Sequence, residues 1–233
     1  MCLLLVAVDA VPDRPLVILG NRDEFHARAT DAAAAWAEDS DIVGGRDRVA
    51  GGSWLALRSP GRVAAVTNVR MREAAPAAHS RGELIGDFLR STLCPRDWLE
   101  QRLSRVSDYA AFNLVVAVPG DAWCLQSPNA HMAPLRAGVH VISNGSLDEH
   151  WPKMRRLHAS FEAAIAEPGW SDASLLDLLS DRSTPPLDEL PDTGIGSTLE
   201  QFLAPIFIVG DRYGTRASTL VSIGVRGECA LRE

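Results

Sequence analysis

The second residue of the sequence, Cys2, is the first candidate for chemistry. It opens an apolar run at residues 2–8 and directly follows Met1. If Met1 is removed, Cys2 carries a thiol and a free α-amino group on the same residue. The intrinsic pKa of such an amine is about 7.7–8.0, so the amine can act as the base for the thiol. The alternative is that Cys2 is only the first residue of an apolar β-strand.

A cluster of four consecutive polar residues follows the second apolar run, at residues 16–19. The cluster consists of Asn21, Arg22, Asp23 and Glu24. If the two apolar runs form a β-hairpin, the cluster lies near Cys2. An arginine close to a thiol lowers its pKa, and an acid can orient an amine. Four polar residues at a strand end are usually a solvated turn, and the alternative is a site that holds a carboxylate-bearing substrate and tunes a thiolate.

Two asparagines stand at the ends of predicted strands. Asn68 follows the apolar run at residues 63–67, and Asn144 follows the run at 139–143 and precedes Gly145. An amide at a strand end is often only a turn former. A side-chain N–H₂ group aimed at a pocket is also what an oxyanion hole needs, and one such donor contributes roughly 2.7–4 kcal/mol in the transition state.

A late arginine, Arg216, stands at the entry to the apolar strand predicted at residues 220–223. An arginine in this position is usually a surface charge. If it converges with Arg22 on one pocket, the two guanidinium groups make an anion site.

The composition indicates an ordinary globular protein of one domain, residues 1–233, with 46% hydrophobic and 23% charged residues. The net charge of -7 argues against binding to nucleic acid or to anionic membranes, because both need a basic face. No apolar run approaches the ~20 residues that span a bilayer, and the N-terminal run lacks the basic region of a secretory signal. We therefore expect no membrane insertion.

The cysteines and histidines do not form a metal-binding pattern. The cysteines Cys2, Cys94, Cys124 and Cys229 show no CxxC spacing, which disfavours a zinc site or a disulfide framework and fits a reducing cytoplasm. None of the six histidines pairs with another ligand at a metal-like spacing. The sequence therefore predicts a cytoplasmic protein without a bound metal.

Apolar runs separated by turn residues predict a series of β-strands. They lie at residues 3–8, 16–19, 53–57, 62–67, 113–118, 122–126, 139–143, 206–209, 218–223 and 228–231. Helices are predicted from Ser80, with a capping box to Glu83, from Pro95 to about residue 106, after Pro152, and at 174–179. Residues 184–196 are predicted to form a loop.

The order of these elements favours an α+β fold. The chain passes through hairpins, helices, strands, helices and again strands. This order lacks the strict βαβ alternation of a parallel sheet. Two mostly antiparallel sheets packed face to face, with helices on the outside, satisfy this order.

The ordered motifs resemble the NRDE family, which includes the transport and Golgi organisation protein 2 relatives. Besides the Met-Cys start and Asn21–Glu24, the matching stretches are residues 51–55, 66–70, 80–82, 143–153 and 213–216. The resemblance covers essentially the whole chain. That family is similar to the N-terminal nucleophile hydrolases, which are four-layer αββα sandwiches with a catalytic N-terminal cysteine.

The resemblance implies roles for particular residues. The catalytic candidates are Cys2, Asp23, Asn144 and Asn68. The substrate-binding candidates are Arg22 and Arg216. Adjacent residues of an extended chain point to opposite faces, so Asn21 and Glu24 are alternatives for the places of Arg22 and Asp23.

Two functions remain open from the sequence. The first is a cysteine hydrolase that cleaves a C–N amide or a thioester bond of a small acylated substrate and requires no cofactor. The second is a non-catalytic protein on the same fold that binds or carries haem or another hydrophobic carboxylate. Both predict a small-molecule ligand, and neither predicts the oligomeric state.

Overall fold

The computed structural model describes residues 3–71 and 77–233. Cys2 therefore lies outside the described residues. The described strands are β1 (Leu3–Val11), β2 (Arg14–Phe25), β3 (Thr30–Trp36), β4 (Asp39–Asp47), β5 (Leu55–Arg58), β6 (Arg62–Asn68), β7 (Phe112–Val118), β8 (Asp121–Gln126), β9 (His131–Pro134), β10 (Gly138–Ile142), β11 (Tyr213–Ile223) and β12 (Cys229–Arg232).

Five α-helices accompany the strands in the described part of the chain. They are α1 (Glu83–Arg90), α2 (Pro95–Glu100), α3 (Pro152–Ala166), α4 (Asp172–Asp177) and α5 (Ser197–Phe202). Short 3-10 helices lie at Leu103–Asp108, Ser127–Asn129, Leu178–Ser180 and Leu187–Glu189. Within residues 3–71 and 77–233, no helix has the length and apolar character needed to cross a bilayer.

The strands form two antiparallel sheets. The first has the order β10-β1-β2-β11-β12 and the second the order β3-β4-β5-β6-β7-β8-β9. Successive strands of the second sheet pair with one another, which gives a simple meander. The predicted α+β fold of two antiparallel sheets is thus confirmed.

Three apolar cores separate four layers of structure. In β1, Leu4 and Val6 belong to the core between the two sheets, whereas Leu3 and Leu5 pack against α3 and α4. Helices α1 and α2 cover the outer face of the second sheet. Side chains on both faces of β1 are apolar because both faces are covered, and full burial of each leucine or valine contributes roughly 1.5–3 kcal/mol.

Strand β2 is longer than its apolar run and carries the polar cluster inside the sheet. Leu3 pairs with Asn21, so the start of β1 lies beside the polar end of β2. On its other side β2 pairs with β11, where Thr215 faces Asp23 and Ala217 faces Arg22. Arg216 is the extra residue of a β-bulge between these two pairs.

Some predicted elements are wrong in type or extent. The capping box of Ser80 and Glu83 is absent: α1 is capped by Gly82 without a side-chain bond, and Glu83 accepts a hydrogen bond from the Tyr109 hydroxyl instead. The helix that starts at Pro95 ends at Glu100 rather than near residue 106.

The strand predicted at residues 206–209 does not form, although Ile206 and Ile208 are buried as a strand pattern requires. The Ile206 carbonyl accepts a side-chain hydrogen bond from Asn21, and the Ile208 N–H donates to the Thr215 hydroxyl. The Phe207 N–H donates to the Asp181 carbonyl and the Ile208 carbonyl accepts from the Thr215 N–H, so side chains and scattered backbone groups together replace a strand ladder. Strands β3, β4 and β9 were not predicted; four consecutive alanines in β3 give it a weak strand pattern.

Candidate functional site

The polar end of β2 divides its side chains between the two faces of the first sheet. The Arg22 guanidinium lies 4.5 Å from the ring centre of Trp54, which belongs to the core between the sheets. The Asn21 side chain points to the opposite face, where its Nδ2 donates to the carbonyls of Leu179 and Ile206, each at 2.8 Å. This alternation follows from the extended backbone of β2.

Arg22 is a buried cation with incomplete pairing. The residue is 3% exposed, and its Nη1 has no hydrogen-bond partner among residues 3–71 and 77–233. The nearest acid is Glu24, whose Oε2 lies 3.8 Å from Arg22 Nη2. Burial lowers the pKa of Arg22, and the nearby Glu24 and Asp47 carboxylates oppose that shift. An anion beside Nη1 would therefore relieve an unfavourable arrangement.

Two cavities flank Arg22 and Trp54. The polar cavity, of about 140 Å³, is lined by Arg22, Glu24, Arg28, Asp47, Gly52, Ser53, Trp54, Val66, Asn68, Ser80, Arg81 and Gly82. The arginine cavity, of about 210 Å³, is lined by Arg22, Thr30, Asp31, Ala32, Trp54, Arg216, Ala217 and Glu233. Because they share the Arg22 side chain, a ligand in either cavity lies beside a buried cation.

A larger cavity adjoins the polar cavity. This groove has a volume of about 860 Å³ and shares Asn68 and Arg81 with the polar cavity. Much of the rest of its lining is apolar or aromatic: Val69, Met71, Val106, Tyr109, Ala110, Ala111, Pro128 and Ala130. The groove can therefore accept an apolar group whose polar end lies near Asn68.

The wall of the polar cavity depends on two glycines. A Cβ atom on Gly52 would lie 2.4 Å from the backbone carbon of Gly82, too close for any other residue. The Ser53 N–H donates to the Gly82 carbonyl at 3.2 Å, which holds the two loops together.

The two asparagines are in direct contact. Asn144 is 4% exposed, and its Nδ2 donates to the backbone carbonyl of Asn68 at 2.8 Å. Its Oδ1 accepts a hydrogen bond of 3.4 Å from Nη2 of Arg70. Asn68 lines both the polar cavity and the groove. The Asn68 amide therefore lies beside the cavities, and the Asn144 amide lies behind Asn68.

Asp23 lies on the same face of the sheet as Asn21, away from the side chain of Arg22. Its Oδ1 accepts a hydrogen bond of 2.5 Å from the Thr215 hydroxyl, and the residue is 4% exposed. The same hydroxyl accepts from the Ile208 N–H at 2.9 Å. Thr215 thus fixes the Asp23 carboxylate, a role that the sequence analysis did not recognise although Thr215 lies within the motif at residues 213–216.

Asn21 has a structural role in this arrangement. Its Oδ1 accepts from the Ser218 hydroxyl at 2.7 Å, and the two carbonyls described above use its N–H groups. These contacts tie β2 to β11 and to the layer outside the sheet. A binding role for Asn21 stays a prediction.

Arg216 fastens the segment that follows β2. Its Nη1 donates to the Phe25 carbonyl at 3.3 Å, to the Thr30 hydroxyl at 3.2 Å and to the Arg28 carbonyl. Glu24 binds in the same region, with its Oε2 3.7 Å from Arg28 Nε. Arg216 therefore both lines the arginine cavity and supports its rim.

The predicted site residues are brought together in part. Arg22, Glu24 and Asn68 share the polar cavity, Arg22 and Arg216 share the arginine cavity, and Asn144 joins them through Asn68. Asn21 and Asp23 lie on the other face of the same sheet. Trp54, Arg70 and Thr215 cannot be recognised as site residues from the sequence, because their contacts come from distant segments.

A metal centre is not seen in the described part of the chain, where no group of three histidine, cysteine, aspartate or glutamate side chains could hold an ion. The two smaller cavities are lined by arginine guanidinium groups and the Asn68 amide, with the carboxylates of Glu24, Asp47, Asp31 and Glu233 beside them. The guanidinium and amide N–H groups bind anions and carbonyl oxygens rather than cations.

The fold occurs in solved structures of hydrolases. A Caenorhabditis elegans N-acylethanolamine-hydrolyzing acid amidase ortholog aligns with a TM-score of 0.58 and 12% identity, over 94% of this chain and 92% of its own. Penicillin V acylase from Agrobacterium tumefaciens gives a TM-score of 0.53 and 11% identity, over 96% and 83%. A mutant conjugated bile acid hydrolase from Clostridium perfringens gives a TM-score of 0.54 and 8% identity, over 100% and 92%. At these identities the likeness concerns the fold.

The relatives by sequence carry a different name. The Transport and Golgi organization 2 homolog of Mus musculus is 28% identical over 261 residues, covering 100% of this chain and 92% of its own length. Transport and Golgi organization protein 2 of Drosophila melanogaster is 34% identical over 253 residues, covering 96% and 88%. The profile of the family described as Transport and Golgi organisation 2 matches residues 1–233. The predicted resemblance is confirmed, and the chain belongs to the Transport and Golgi organisation 2 family.

Proposed function

We propose that this protein is an N-terminal cysteine hydrolase that cleaves the C–N amide bond, or the thioester bond, of a small acylated substrate. The observation that carries the proposal is the buried, incompletely paired guanidinium of Arg22, at a cavity it shares with Asn68. Proteins of the same fold are named as an amidase, an acylase and a hydrolase, which supports this class of reaction by analogy.

In the proposed reaction the α-amino group of Cys2, freed by removal of Met1, takes the thiol proton. The thiolate attacks the carbonyl carbon of the substrate and forms a tetrahedral intermediate. Collapse of the intermediate breaks the C–N bond, and the ammonium group returns the proton to the leaving amine. Water, deprotonated by the same amine, then hydrolyses the acyl-thioester and restores Cys2. No cofactor is needed.

The described residues suit the remaining roles in this reaction. One N–H of Asn144 Nδ2 is bound by Asn68, and the other would donate to the oxyanion. Asp23, held by Thr215, would orient the amine of Cys2. Arg22 and Arg216 would bind or polarise the substrate, and the groove would take its acyl chain.

The first experiment is to measure the intact mass and to screen amide and thioester substrates. We expect the mass to lack Met1 and turnover to be lost in Cys2→Ala. The matched control is Cys94→Ser, which removes an exposed thiol at the N-cap of α2, keeps a capping oxygen there, and is expected to leave turnover unchanged. Retention of Met1, or equal turnover by wild type and Cys2→Ala, rejects the hydrolase.

One observation favours a second function, a non-catalytic carrier of haem or another hydrophobic carboxylate. The side chains of Arg22 and Asp23 lie on opposite faces of the first sheet, so of these two residues Arg22 reaches the cavities and Asp23 does not. A hydrophobic carboxylate would place its carboxylate group beside Arg22 and its apolar body in the groove. A haem titration followed at the Soret band tests this: saturable binding that is lost in Arg22→Met, in a wild-type protein without turnover, favours the carrier.

A further inference from the structure

A chain of polar contacts runs from a buried carboxylate to Asn144. Glu200, in α5, is 4% exposed, and its Oε2 lies 3.0 Å from Nη1 of Arg70. The other amino group of the same guanidinium, Nη2, donates to Asn144 Oδ1 at 3.4 Å. The Arg70 backbone N–H also donates to the Asn144 carbonyl at 2.9 Å. Arg70 therefore contacts Asn144 through both its backbone and its side chain.

Glu200 itself is firmly held. Its Oε1 accepts from both the backbone N–H, at 2.8 Å, and the hydroxyl of Thr193. The guanidinium of Arg70 lies 5.5 Å from the ring centre of Trp151, and its side chain is only 15% exposed. Both members of the ion pair are thus anchored by further contacts, so the pair has a defined geometry rather than that of a mobile surface pair.

These contacts decide which way the Asn144 amide points. A guanidinium can only donate hydrogen bonds, so Arg70 requires the oxygen of the amide on its side. The Asn68 carbonyl can only accept, so it requires the nitrogen. If the amide were flipped, its N–H₂ group would face the Arg70 guanidinium and its oxygen would face the Asn68 carbonyl. Neither contact would then be a hydrogen bond. The N–H₂ group is therefore directed toward Asn68, which lines the polar cavity.

We propose that Arg70 and Glu200 are positioning residues, which fix the amide of Asn144 so that its second N–H faces the reacting carbonyl oxygen. This inference rests on the proposed hydrolase function. Neither residue is assigned a contact with the reacting atoms: Arg70 also lines the groove, and each residue acts on the reaction through Asn144. Loss of such an outer contact typically reduces activity about 10- to 100-fold, less than loss of the donor itself.

The test compares two reactions of the Cys2 thiol in the full-length protein. Acylation by p-nitrophenyl acetate develops an oxyanion, whereas alkylation by iodoacetamide develops none. In Arg70→Met and Glu200→Gln we expect acylation to slow about 10- to 100-fold and alkylation to keep its wild-type rate. Equal slowing of both reactions, or of neither, overturns the proposal.

The matched control is Asp172→Asn, which breaks two other ion pairs, those of Asp172 with Arg14 and with Arg232, at α4. We expect it to lower stability without changing either rate. Slower acylation in this control as well would assign the effect to general destabilisation and contradict the proposal.

A spectroscopic measurement separates this inference from the proposed function. The side-chain ¹⁵N–¹H₂ signals of Asn144 are identified by their loss in Asn144→Ala. We expect two resolved, slowly exchanging protons in the wild type and faster exchange in Arg70→Met. Unchanged signals in Arg70→Met refute the positioning role. If the wild type is not acylated at all, the hydrolase fails, while these signals still decide whether Arg70 orients the amide.

Discussion

The positive charge of Arg22 is buried where the fold supplies few contacts that stabilise it. Its Nη1 lacks a described partner, and its main neighbour is the face of Trp54. Cation–π contact contributes on the order of 0.5–2 kcal/mol, whereas a buried unpaired donor costs about 1–3 kcal/mol or more. Natural proteins accept such a conflict mainly at functional sites.

This conflict predicts the behaviour of Arg22→Met, which keeps an apolar side chain against Trp54 and removes the charge. We expect the free energy of unfolding in urea to stay equal or to rise by about 1 kcal/mol, because the unpaired donor is gone. We also expect binding of a carboxylate ligand, followed by calorimetry, to be lost. A fall of several kcal/mol in stability would show that Arg22 serves the fold instead.

Thr215 supports Asp23 through one hydroxyl that both donates and accepts. In Thr215→Val, Asp23 loses a donor and the Ile208 N–H loses its acceptor, so we expect a loss of about 1–3 kcal/mol in the free energy of unfolding. Thr215→Ser keeps the hydroxyl and should recover most of that loss. Equal effects of valine and serine would indicate that the methyl group, not the hydroxyl, matters.

For single residues, the sequence indicates which side chains are polar and which face of a strand each one occupies. It does not indicate which contacts those side chains make. The alternation of Arg22 and Asp23 was predictable because adjacent side chains of a strand point to opposite faces. The bond from Thr215 to Asp23 joins residues 192 positions apart, and no local pattern encodes it. The roles of Arg70 and Glu200 depend on a contact of the same kind, across 130 positions.

Among the elements, edge strand β10 is supported by a loop carboxylate. Asp148 accepts hydrogen bonds from the Val141 N–H and from His140 Nδ1, each at 2.8 Å. The hydrogen bond with Asp148 raises the pKa of His140, and burial opposes this shift. Protonated His140 therefore stabilises the fold.

The sign of this shift predicts a pH dependence. Because the pKa of His140 is higher in the folded state, its contribution is complete below the unfolded pKa of about 6.5 and is lost as the pH rises through the folded value. We expect His140→Gln to be destabilised by up to ~1 kcal/mol at pH 5.5 and by less at pH 9, in urea titrations. A difference from wild type that grows with pH contradicts this assignment.

Helices and strands were predicted correctly where one face or both faces of the element are buried. The prediction failed where contacts with distant residues determine the structure. The helix predicted after Ser80 forms as α1, and its apolar residues Leu84, Ile85, Phe88 and Leu89 are buried. Strand β3, rich in alanine, forms because β4 supplies a partner, which its own residues do not reveal. The segment at residues 206–209 has a strand pattern, but its hydrogen bonds go to side chains and to separate backbone groups rather than to one neighbouring strand.

Across the whole molecule, a polar network joins the two sheets at the end where the cavities lie. The Thr67 hydroxyl donates to the Ser143 carbonyl at 2.9 Å, and Asn113 Nδ2 donates to the Gly145 carbonyl at 2.8 Å. Thr67 and Asn113 belong to the second sheet, whereas Ser143 and Gly145 follow β10 of the first. The network thus fixes the loop that carries Asn144 from the opposite layer.

We therefore expect Asn113→Ala to act on both stability and this loop. The substitution should cost about 1–3 kcal/mol in the free energy of unfolding and speed amide hydrogen exchange at residues 143–145. Asn129→Ala, at an exposed position, should change stability by less than ~0.5 kcal/mol. Unchanged exchange in Asn113→Ala would mean that the sheets hold the loop without this bond.

The bulge in β11 shifts the alternation of side chains between residues 213–215 and the rest of the strand. One extra residue, Arg216, lets Thr215 and Ala217 pair with the neighbours Asp23 and Arg22. If residue 216 were instead paired in register, Thr215 would face Glu24, and its hydroxyl would turn toward the face of Arg22 and leave Asp23 without that donor. Deleting residue 216 would instead join Thr215 directly to Ala217 in a regular ladder, so residues 213–215 would keep their faces and Thr215 would stay opposite Asp23.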